Sequence, residues 1–260
     1  MSVNAAPPLD VDRLLAAAVA ARIEYYESLP STQDRAHEIA RSSDQGPMPL
    51  LIAAEQQTAG RGRGANQWWT GRGSLAFSLL FDPADWVLSN QPLPERSLAV
   101  GCAIVDTLAP HLPDHTVGLH WPNDVYVADK KVAGVLIDVL PGGRHVVGIG
   151  LNVNNPLADA PEDVRARAAS LCELSGRVAD RTELLTALLG NIEAAVRASA
   201  ADPPGFGQRF QDLCLQLGHE LTIDVGGRQT TGQCAGVAPD GALLLETPDG
   251  FRRFYSGVLR

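Results

Sequence analysis

Short apolar runs, several of which alternate with polar residues, divide the chain into segments that predict β-strands. Strands are predicted at residues 24–29, 50–55, 74–81, 116–121, 125–128, 132–140 and 144–153. Apolar residues at helical spacing predict helices at residues 9–21, 31–41, 95–109, 180–200 and 207–217. Because the strands between 116 and 153 follow one another through short turns, the pattern predicts an α+β fold. It should have a mixed, largely antiparallel sheet and flanking helices.

Two of the predicted helices begin with capping residues. Ser31 stands three residues before Asp34, and Asp180 stands three residues before Glu183. At this spacing a side-chain oxygen accepts a hydrogen bond from a free backbone N–H of the first turn. Capping alone would explain Ser31, so a role in ligand binding needs separate support.

The pattern changes after Gly218. Apolar residues alternate at positions 221, 223 and 225, and the dipeptides at 226–227, 240–241 and 249–250 are typical of hairpin turns. Residues 218–260 are therefore predicted to form a small all-β barrel. The chain is thus divided into an N-terminal tail with a short helix (1–22), a main domain (23–217) and the barrel.

Residues 59–73, called here the arginine-glycine loop, concentrate positive charge on a glycine-rich backbone. The loop carries Arg61, Arg63 and Arg72 together with Trp68 and Trp69, and no carboxylate lies between residues 56 and 81. Glycines allow a ligand to approach the backbone closely, and guanidinium groups bind phosphate or carboxylate oxygens. The loop is predicted to bind an anion.

Composition restricts what that anion can belong to. The chain has 260 residues and a formal net charge of −9, so a broad DNA-binding surface is not expected. The four cysteines lie far apart in no zinc-ligand pattern and are expected to be reduced, mostly buried residues. No apolar run is long enough to span a membrane, and no targeting segment is evident. A cytoplasmic protein with neither membrane nor DNA as a partner is expected.

The arginine-glycine loop is also compatible with three other interpretations. Gly60, Gly62 and Ala65 match a dinucleotide-binding fingerprint, but that motif opens a helix and residues 66–73 do not predict one. The arginines and tryptophans could also form a small groove for single-stranded nucleic acid, although the acidic balance disfavours it. A flexible glycine-rich surface turn is the third alternative.

Five motifs in order favour a different interpretation. They are Ser31-Thr32-Gln33, residues 54–63 with the sequence A-E-Q-Q-T-A-G-R-G-R, residues 120–124 with H-W-P-N-D, residues 131–136 with K-V-A-G-V-L, and residues 148–152 with G-I-G-L-N. Together they resemble the biotin protein ligases over residues 24–217. The barrel resembles the C-terminal SH3-like domain of that family.

The resemblance implies a fold and an activity. The fold would be the class II aminoacyl-tRNA-synthetase-like catalytic domain of biotin ligases, followed by the SH3-like barrel. The activity would be that of a biotin-[acetyl-CoA-carboxylase] ligase, which uses MgATP to form biotinyl-5′-AMP. The biotin is then transferred to the acceptor lysine of a biotin carboxyl carrier protein. About twenty residues before the catalytic domain are too few for a DNA-binding winged helix, so no repressor activity is expected.

Roles for individual residues also follow from the resemblance. Catalytic roles are expected for Arg61, Arg63 and Lys131, because cations must offset the repulsion between a carboxylate and the α-phosphate. A catalytic role is also expected for Asp124. Biotin binding is expected for Ser31, Thr32, Gln33, Gln57, Gly60, Arg61, Arg63, Lys131, Gly134 and Gly150. ATP binding is expected for Arg63, Trp68, Asn123, Asp124, Lys131 and Asn152. Asp124 could hold Mg²⁺ or accept the proton of the incoming lysine, and the sequence leaves both open.

The chain departs from the family pattern at two positions. His120 stands where lysine is usual, and Asn66 stands where a third arginine is usual, with Arg72 as one candidate to compensate. A lipoate-type ligase or acyltransferase of the same fold remains the nearest alternative. A nucleotide or nucleic-acid binder without catalysis is the alternative from another class. Whether the chain acts as a monomer or a homodimer, and which carboxylase it modifies, stays open.

Overall fold

A computed structural model describes residues 7–42, 46–82 and 93–260 of the chain. Its helices are α1 (Val11–Ala16), α2 (Thr32–Arg41), α3 (Leu93–Leu108), α4 (Glu162–Arg167), α5 (Leu171–Ser175), α6 (Arg181–Ala201) and α7 (Pro203–Leu213). Its first seven strands are β1 (Arg22–Leu29), β2 (Leu50–Gln57), β3 (Leu75–Phe81), β4 (Val117–His120), β5 (Asp124–Val127), β6 (Lys130–Val139) and β7 (His145–Leu151). The remaining strands are β8 (Glu220–Val225), β9 (Arg228–Val237), β10 (Leu243–Thr247), β11 (Gly250–Phe254) and β12 (Val258–Leu259).

The main sheet has the strand order β1-β2-β3-β7-β6-β5-β4. Within the described strands, β1 and β2 pair in parallel and every other neighbouring pair of this sheet is antiparallel. Parallel strands need a crossover connection, which here contains α2. The predicted mixed, largely antiparallel sheet with flanking helices is confirmed.

Alternate residues of the central strands contribute to two separate cores. Phe77, Leu79 and Ile149 face the large core, which also contains buried residues of α3 and α6. Leu80 and Val146 belong to a smaller cluster, in which Ala36 and Ile39 of α2 pack against the sheet. The two faces follow from the period of two along each strand.

A row of small residues interrupts the face that α2 covers. The strand register aligns Ala54 with Ala76, Ala76 with Gly150, Gly150 with Gly134, and Gly134 with Asp124. None of the first four side chains is larger than a methyl group. In this row, called here the small-residue row, Gly134 and Gly150 border open space beside the N-terminus of α2.

The C-terminal segment forms a second sheet, in which the order β11-β10-β9-β8-β12 places the last strand beside the first. All its neighbouring strands are antiparallel, and the three predicted hairpin turns are confirmed. Trp121 contacts this sheet, since its indole N–H donates to the carbonyl of Gly241 at 2.9 Å. We propose that the domain boundary lies near Gly218, where the chain passes from one sheet to the other.

The helices differ from the prediction in four places, one of which is that α7 ends at Leu213 rather than at residue 217. α1 ends at Ala16 rather than at residue 21, because the chain turns at Ala18 (φ 51°) to enter β1. α7 begins at Pro203 rather than at residue 207, because Asp202 caps it and prolines are tolerated in the first turn of a helix. The short helices α4 and α5 were not predicted, since a helix of five or six residues has little periodicity.

Residues 1–6 of the predicted N-terminal tail lie outside the described residues. Across the segments that the structure describes, no helix combines the length and apolarity needed to cross a bilayer.

A buried ion pair joins α6 to β2. Arg181 and Glu55 lie 2.8 Å apart, with 2% and 9% of their side chains exposed. Glu55 also accepts hydrogen bonds from the Tyr25 hydroxyl and the Leu9 backbone. Glu55 belongs to the second sequence motif, so part of that motif serves the fold and not the ligand.

We expect Arg181→Met to lower the free energy of unfolding by about 3–5 kcal/mol, because it leaves a buried carboxylate without its counter-charge. The exposed pair of Arg197 with Glu193 in the same helix provides a matched control, and Arg197→Met should cost less than about 1 kcal/mol. Urea denaturation measures both. Equal losses in the two variants would contradict the assigned role of the buried pair.

Candidate functional site

A cavity of about 300 Å³ lies beside Gly134 and Gly150 of the small-residue row. Its walls come from the N-terminus of α2, the arginine-glycine loop, strands β3 to β7, α4 and the end of β12. Ligand pockets of this size occur where side chains from several elements converge. The cavity is therefore the candidate functional site.

The structure gathers nearly all the predicted site residues around this cavity. The predicted residues that line it are Ser31, Thr32, Gln33, Gln57, Arg61, Arg63, Trp68, Asn123, Asp124, Lys131, Gly134, Gly150 and Asn152. Gly60 is absent from the lining, because it packs against the backbone of Trp68, whose carbonyl a Cβ at position 60 would approach to 2.4 Å. Its glycine serves the shape of the loop.

One end of the cavity carries a chain of hydrogen bonds between neutral side chains. The Thr32 hydroxyl donates to Gln57 Oε1 (3.2 Å), and the Ser78 hydroxyl lies 2.8 Å from Thr32 Oγ1 and 3.0 Å from Gln33 Oε1. The Gln57 amide donates to Thr70 Oγ1 at 3.2 Å. Ser31 caps α2 as predicted, accepting from the Asp34 backbone at 3.4 Å. We call Ser31, Thr32, Gln33, Gln57 and Ser78 the neutral polar cluster.

The neutral polar cluster keeps hydrogen-bonding capacity that no described residue uses. The Ser31 hydroxyl and one N–H of Gln57 remain as donors. One lone pair on Gln33 Oε1 and one on Thr32 Oγ1 remain as acceptors. This end of the cavity can thus accept a small neutral group that both donates and accepts hydrogen bonds.

The arginine-glycine loop folds back on itself beside the cavity. The Gly62 N–H donates to the carbonyl of Asn66, and the Trp68 N–H donates to the carbonyl of Gly60, both at 2.9 Å. Gly64, at the tip, has a positive φ of 66°, which glycine adopts easily. Asn66 is thus one side of a tight hairpin, and this geometry excludes the helix that a dinucleotide-binding fingerprint requires.

Trp68 forms a wall of the cavity. Its indole lies against Gly150, where a Cβ would come within 2.2 Å of the ring. The ammonium nitrogen of Lys131 lies 5.6 Å from the ring centroid, within range for a cation–π contact. The indole N–H is buried, and it has no hydrogen-bond partner among the described residues. Such a donor beside a cavity indicates a ligand that accepts from it.

Lys131 and Asp124 form an ion pair at the cavity floor, with Nζ and Oδ2 2.7 Å apart. A Cβ on Gly134 would come within 3.2 Å of both side chains, so glycine at this position makes room for the pair. The other carboxylate oxygen of Asp124 is buried and has no partner within the described part of the chain. It is free to accept a proton or to bind a cation.

Two arginines of the loop frame the mouth of the cavity. Arg61 pairs with Asp34 at 2.9 Å, and Arg63 donates to the backbone carbonyl of Gly257 in the C-terminal segment. The Arg61 side chain is 43% exposed, so its ion pair contributes little and can exchange for a ligand anion. Together with Lys131, these side chains make one side of the cavity electropositive.

His120 stacks on Tyr126 at the cavity wall, with ring centroids 4.4 Å apart. Burial lowers the pKa of His120, and the Lys131 cation lowers it further, while Asp124 opposes the shift. The imidazole is therefore mostly neutral at pH 7. The lysine usual in the resembled family at this position would carry a permanent charge instead.

Two asparagines shape the cavity through backbone and side-chain bonds. The Asn123 amide donates to the carbonyl of Val135 at 2.7 Å, which anchors the turn between β4 and β5 to β6. Asn152 accepts a hydrogen bond from Asn155 at 3.0 Å and is buried. Asn152 also lines the cavity at the end of β7.

Three polar or aromatic residues in or near the motifs contribute little to the cavity. Arg72 pairs with Glu27 at the surface and is not part of the lining, so it does not replace the third arginine of the family pattern. Trp121 borders the cavity, but it is 1% exposed and belongs mainly to the core. Asn154 bonds to the backbone of Ala179.

The sequence also left several lining residues unnoticed. They include Ser78, Val164, Arg167, Ala168, Val258 and Leu259. Ser78 lies two positions from Ala76 on β3, so strand alternation could have placed it on the cavity face. No local signal identifies the others, because they reach the site only through long-range folding.

The side chains around the cavity offer few ligands for a metal ion. Among the residues that the structure describes, no three His, Cys, Asp or Glu side chains come together to hold one. The unpaired oxygen of Asp124 could supply a single ligand. Mg²⁺ commonly binds through one or two carboxylates plus phosphate oxygens, so this donor fits a metal that arrives with a nucleotide.

Comparison with known proteins adds independent findings. Residues 25–154 match the model of the biotin/lipoate A/B protein ligase family, and residues 217–258 match the biotin protein ligase C terminal domain. The bifunctional ligase/repressor BirA of Bacillus subtilis is 30% identical over 89% of this chain and 71% of its own length. The biotin--[acetyl-CoA-carboxylase] ligase of Mycobacterium tuberculosis is 32% identical over 76% and 73%, respectively. The structure of the Aquifex aeolicus biotin protein ligase in complex with biotin and ATP is 30% identical, with a TM-score of 0.80. That match covers 92% of this chain and 99% of that chain.

We expect the lowered pKa of His120 to reduce stability in mildly acidic solution. Below about pH 6.5 the unfolded chain binds this proton more readily than the folded chain, so stability falls as pH falls towards the folded-state pKa. His120→Gln should flatten this dependence. Unfolding free energies measured between about pH 7.5 and 5.5 test this, and an unchanged slope would contradict it. Burial also lowers the pKa of His145, so this residue still contributes to the pH dependence of stability in the variant.

Proposed function

The chain belongs to the biotin/lipoate A/B protein ligase family, and we propose that it ligates biotin to the acceptor lysine of a biotin carboxyl carrier protein by way of biotinyl-5′-AMP. It is a biotin protein ligase, with biotin and ATP as its small-molecule substrates. The identity of the acceptor carboxylase, the adenylate route and the role of each residue are the parts that we propose.

The neutral polar cluster is the observation that carries the choice of biotin over lipoate. The ureido group of biotin has one carbonyl oxygen with two lone pairs and two N–H donors. The cluster offers the complement: donors on Ser31 and Gln57, and acceptors on Gln33 and Thr32. A dithiolane ring has no N–H or O–H and only weak sulfur acceptors, so lipoate would leave these buried groups unsatisfied.

The proposed orientation puts the biotin carboxylate near Lys131 and Arg63. Gly134 and Gly150 then lie beneath the aliphatic chain of biotin, with Trp68 as a wall. In the first step a carboxylate oxygen attacks the α-phosphorus of ATP, and pyrophosphate leaves. Both partners are anionic, so Lys131, Arg61 and Arg63 lower the barrier by offsetting the repulsion between them. Mg²⁺ held by Asp124 and the phosphates would neutralise further charge.

The second step needs a neutral amine. The acceptor lysine attacks the acyl carbon of biotinyl-5′-AMP, AMP leaves, and one proton must leave the nitrogen. The free oxygen of Asp124 lies at the cavity floor and can accept that proton. Lys131 pairs with Oδ2 of Asp124, which leaves Oδ1 available for this role.

The arginine-glycine loop and the C-terminal strand would protect the adenylate from water. Arg63 binds the Gly257 carbonyl, and Val258 and Leu259 line the cavity, so the arginine-glycine loop and the C-terminal strand meet at the mouth. Excluding water protects a reactive acyl-adenylate from hydrolysis until the acceptor arrives. Arg167, also at the mouth, adds a further cation for the nucleotide phosphates.

A cytoplasmic location is part of the proposal. Cys102, Cys172, Cys214 and Cys234 are free thiols in the structure. Thiols in this state are what the reducing cytoplasm maintains.

The proposed activity predicts a defined mass change. The protein is incubated with MgATP, an acceptor domain of a biotin carboxyl carrier protein, and either biotin or lipoate. We expect the acceptor to gain the mass of one biotinyl group, and no lipoyl group, by mass spectrometry. An acceptor whose target lysine is replaced by arginine is the control. Lipoylation without biotinylation would refute the assignment.

Lys131→Met should reduce the rate of biotinyl-5′-AMP formation by about 10²–10³-fold, because the cation facing the reacting groups is lost. Lys130→Met is a matched control, since Lys130 is the neighbouring residue, is outside the cavity lining and bonds to the Ala166 carbonyl. Pyrophosphate release measures the first step without the acceptor. Equal rates in the two variants would exclude the proposed role of Lys131.

A further inference from the structure

Gln33 is held from behind by a carboxylate that does not line the cavity. Its amide nitrogen donates to Asp138 Oδ2 at 2.9 Å and to the Val146 carbonyl at 3.3 Å, while its oxygen accepts from Ser78. Gln33 itself is 3% exposed. Both amide hydrogens are therefore used on the side away from the ligand.

Asp138 has a second partner on the same helix. His37 lies one turn after Gln33 on α2, and its Nε2 lies 2.9 Å from the same Asp138 oxygen. His37 and Asp138 are each partly buried, with 15% and 27% of their side chains exposed. Residues four apart share one face of a helix, so α2 presents both side chains to β6.

We propose that Asp138 and His37 are positioning residues for biotin recognition: they fix the Gln33 amide so that its oxygen faces the ureido N–H of biotin. This inference rests on the proposed function and extends it to residues outside the cavity. It accounts for two polar side chains that the ligation chemistry itself does not use.

The physical reason is that some groups can either donate or accept a hydrogen bond, whereas others can only accept. The Ser78 hydroxyl can donate or accept, so it would tolerate either orientation of the Gln33 amide. A carboxylate and a backbone carbonyl only accept, so Asp138 and the Val146 carbonyl both favour the orientation with the NH₂ group towards them. The bond to Asp138 is the shorter of the two and is made to a charged group, so it contributes more to this preference. His37 holds the carboxylate in place. A reversed amide would set an N–H against the N–H of the ureido ring.

The test is Asp138→Asn, which preserves shape and removes the stronger of the two bonds that disfavour a reversed Gln33 amide. We expect the KM for biotin to rise about tenfold, as for a lost directional hydrogen bond, with kcat and the KM for ATP changed less than about twofold. His37→Phe, which retains the carboxylate but removes its holding bond, should act in the same direction with a smaller effect. Glu38→Gln on the same helix, with an exposed side chain, is the matched control and should change neither KM.

A double-mutant cycle separates positioning from a general structural effect. If Asp138 acts through Gln33, Asp138→Asn should add less than about twofold to the biotin KM of Gln33→Met. Full additivity of the two substitutions, or equal changes in the KM values for biotin and ATP, would overturn the proposal. Because every variant is compared with an active wild-type enzyme, failure of the wild type to biotinylate would refute the proposed function instead. Thermal denaturation confirms that each variant is folded.

Discussion

The site depends on missing side-chain volume at Gly134 and Gly150, two aligned positions of the small-residue row. Close packing would otherwise fill the face of the sheet beneath α2, as Leu80 and Val146 do elsewhere on that face. Ala54, Ala76, Gly150 and Gly134 break that pattern in one row. Polar groups border the opening on two sides. The N-terminus of α2 lies on one side, and the Lys131–Asp124 pair lies at the end of the row. Everything else in the site is arranged around this gap.

Polarity changes from one end of the cavity to the other in the way that the proposed binding of biotin requires. The residues of the neutral polar cluster at one end make most of their hydrogen bonds with one another. A few donors and acceptors remain for a ligand. The other end collects the cations and a carboxylate with one unpaired oxygen. A ligand with a neutral hydrogen-bonding ring at one end and an anion at the other satisfies both ends at once. Such matching gives selectivity, because a ligand lacking the ring would leave buried polar groups unpaired.

The same short motifs combine support of the fold with lining of the cavity. In the second motif, Glu55 forms the buried pair with Arg181, while Gln57, two residues later, faces the cavity. Ser31 caps α2 and retains its hydroxyl hydrogen for a ligand. In the arginine-glycine loop, Gly60 and Gly62 let two strands of the hairpin approach closely, whereas Arg61 and Arg63 project to the cavity mouth. The two uses coexist in the loop because neighbouring side chains on an extended backbone point in opposite directions.

The sequence by itself determined the strands, the longer helices, the SH3-like segment and nearly all of the polar residues around the cavity, because alternation, capping and motif spacing are local properties. It did not determine α4, α5 or the start of α7, where helices are short or begin with proline. Only the tertiary structure brought Arg167, Val258 and Leu259 to the cavity and removed Arg72 from it. Strand register, which depends on pairing between distant segments, also produced the small-residue row and placed Asp138 behind Gln33. No local pattern encodes such long-range neighbours.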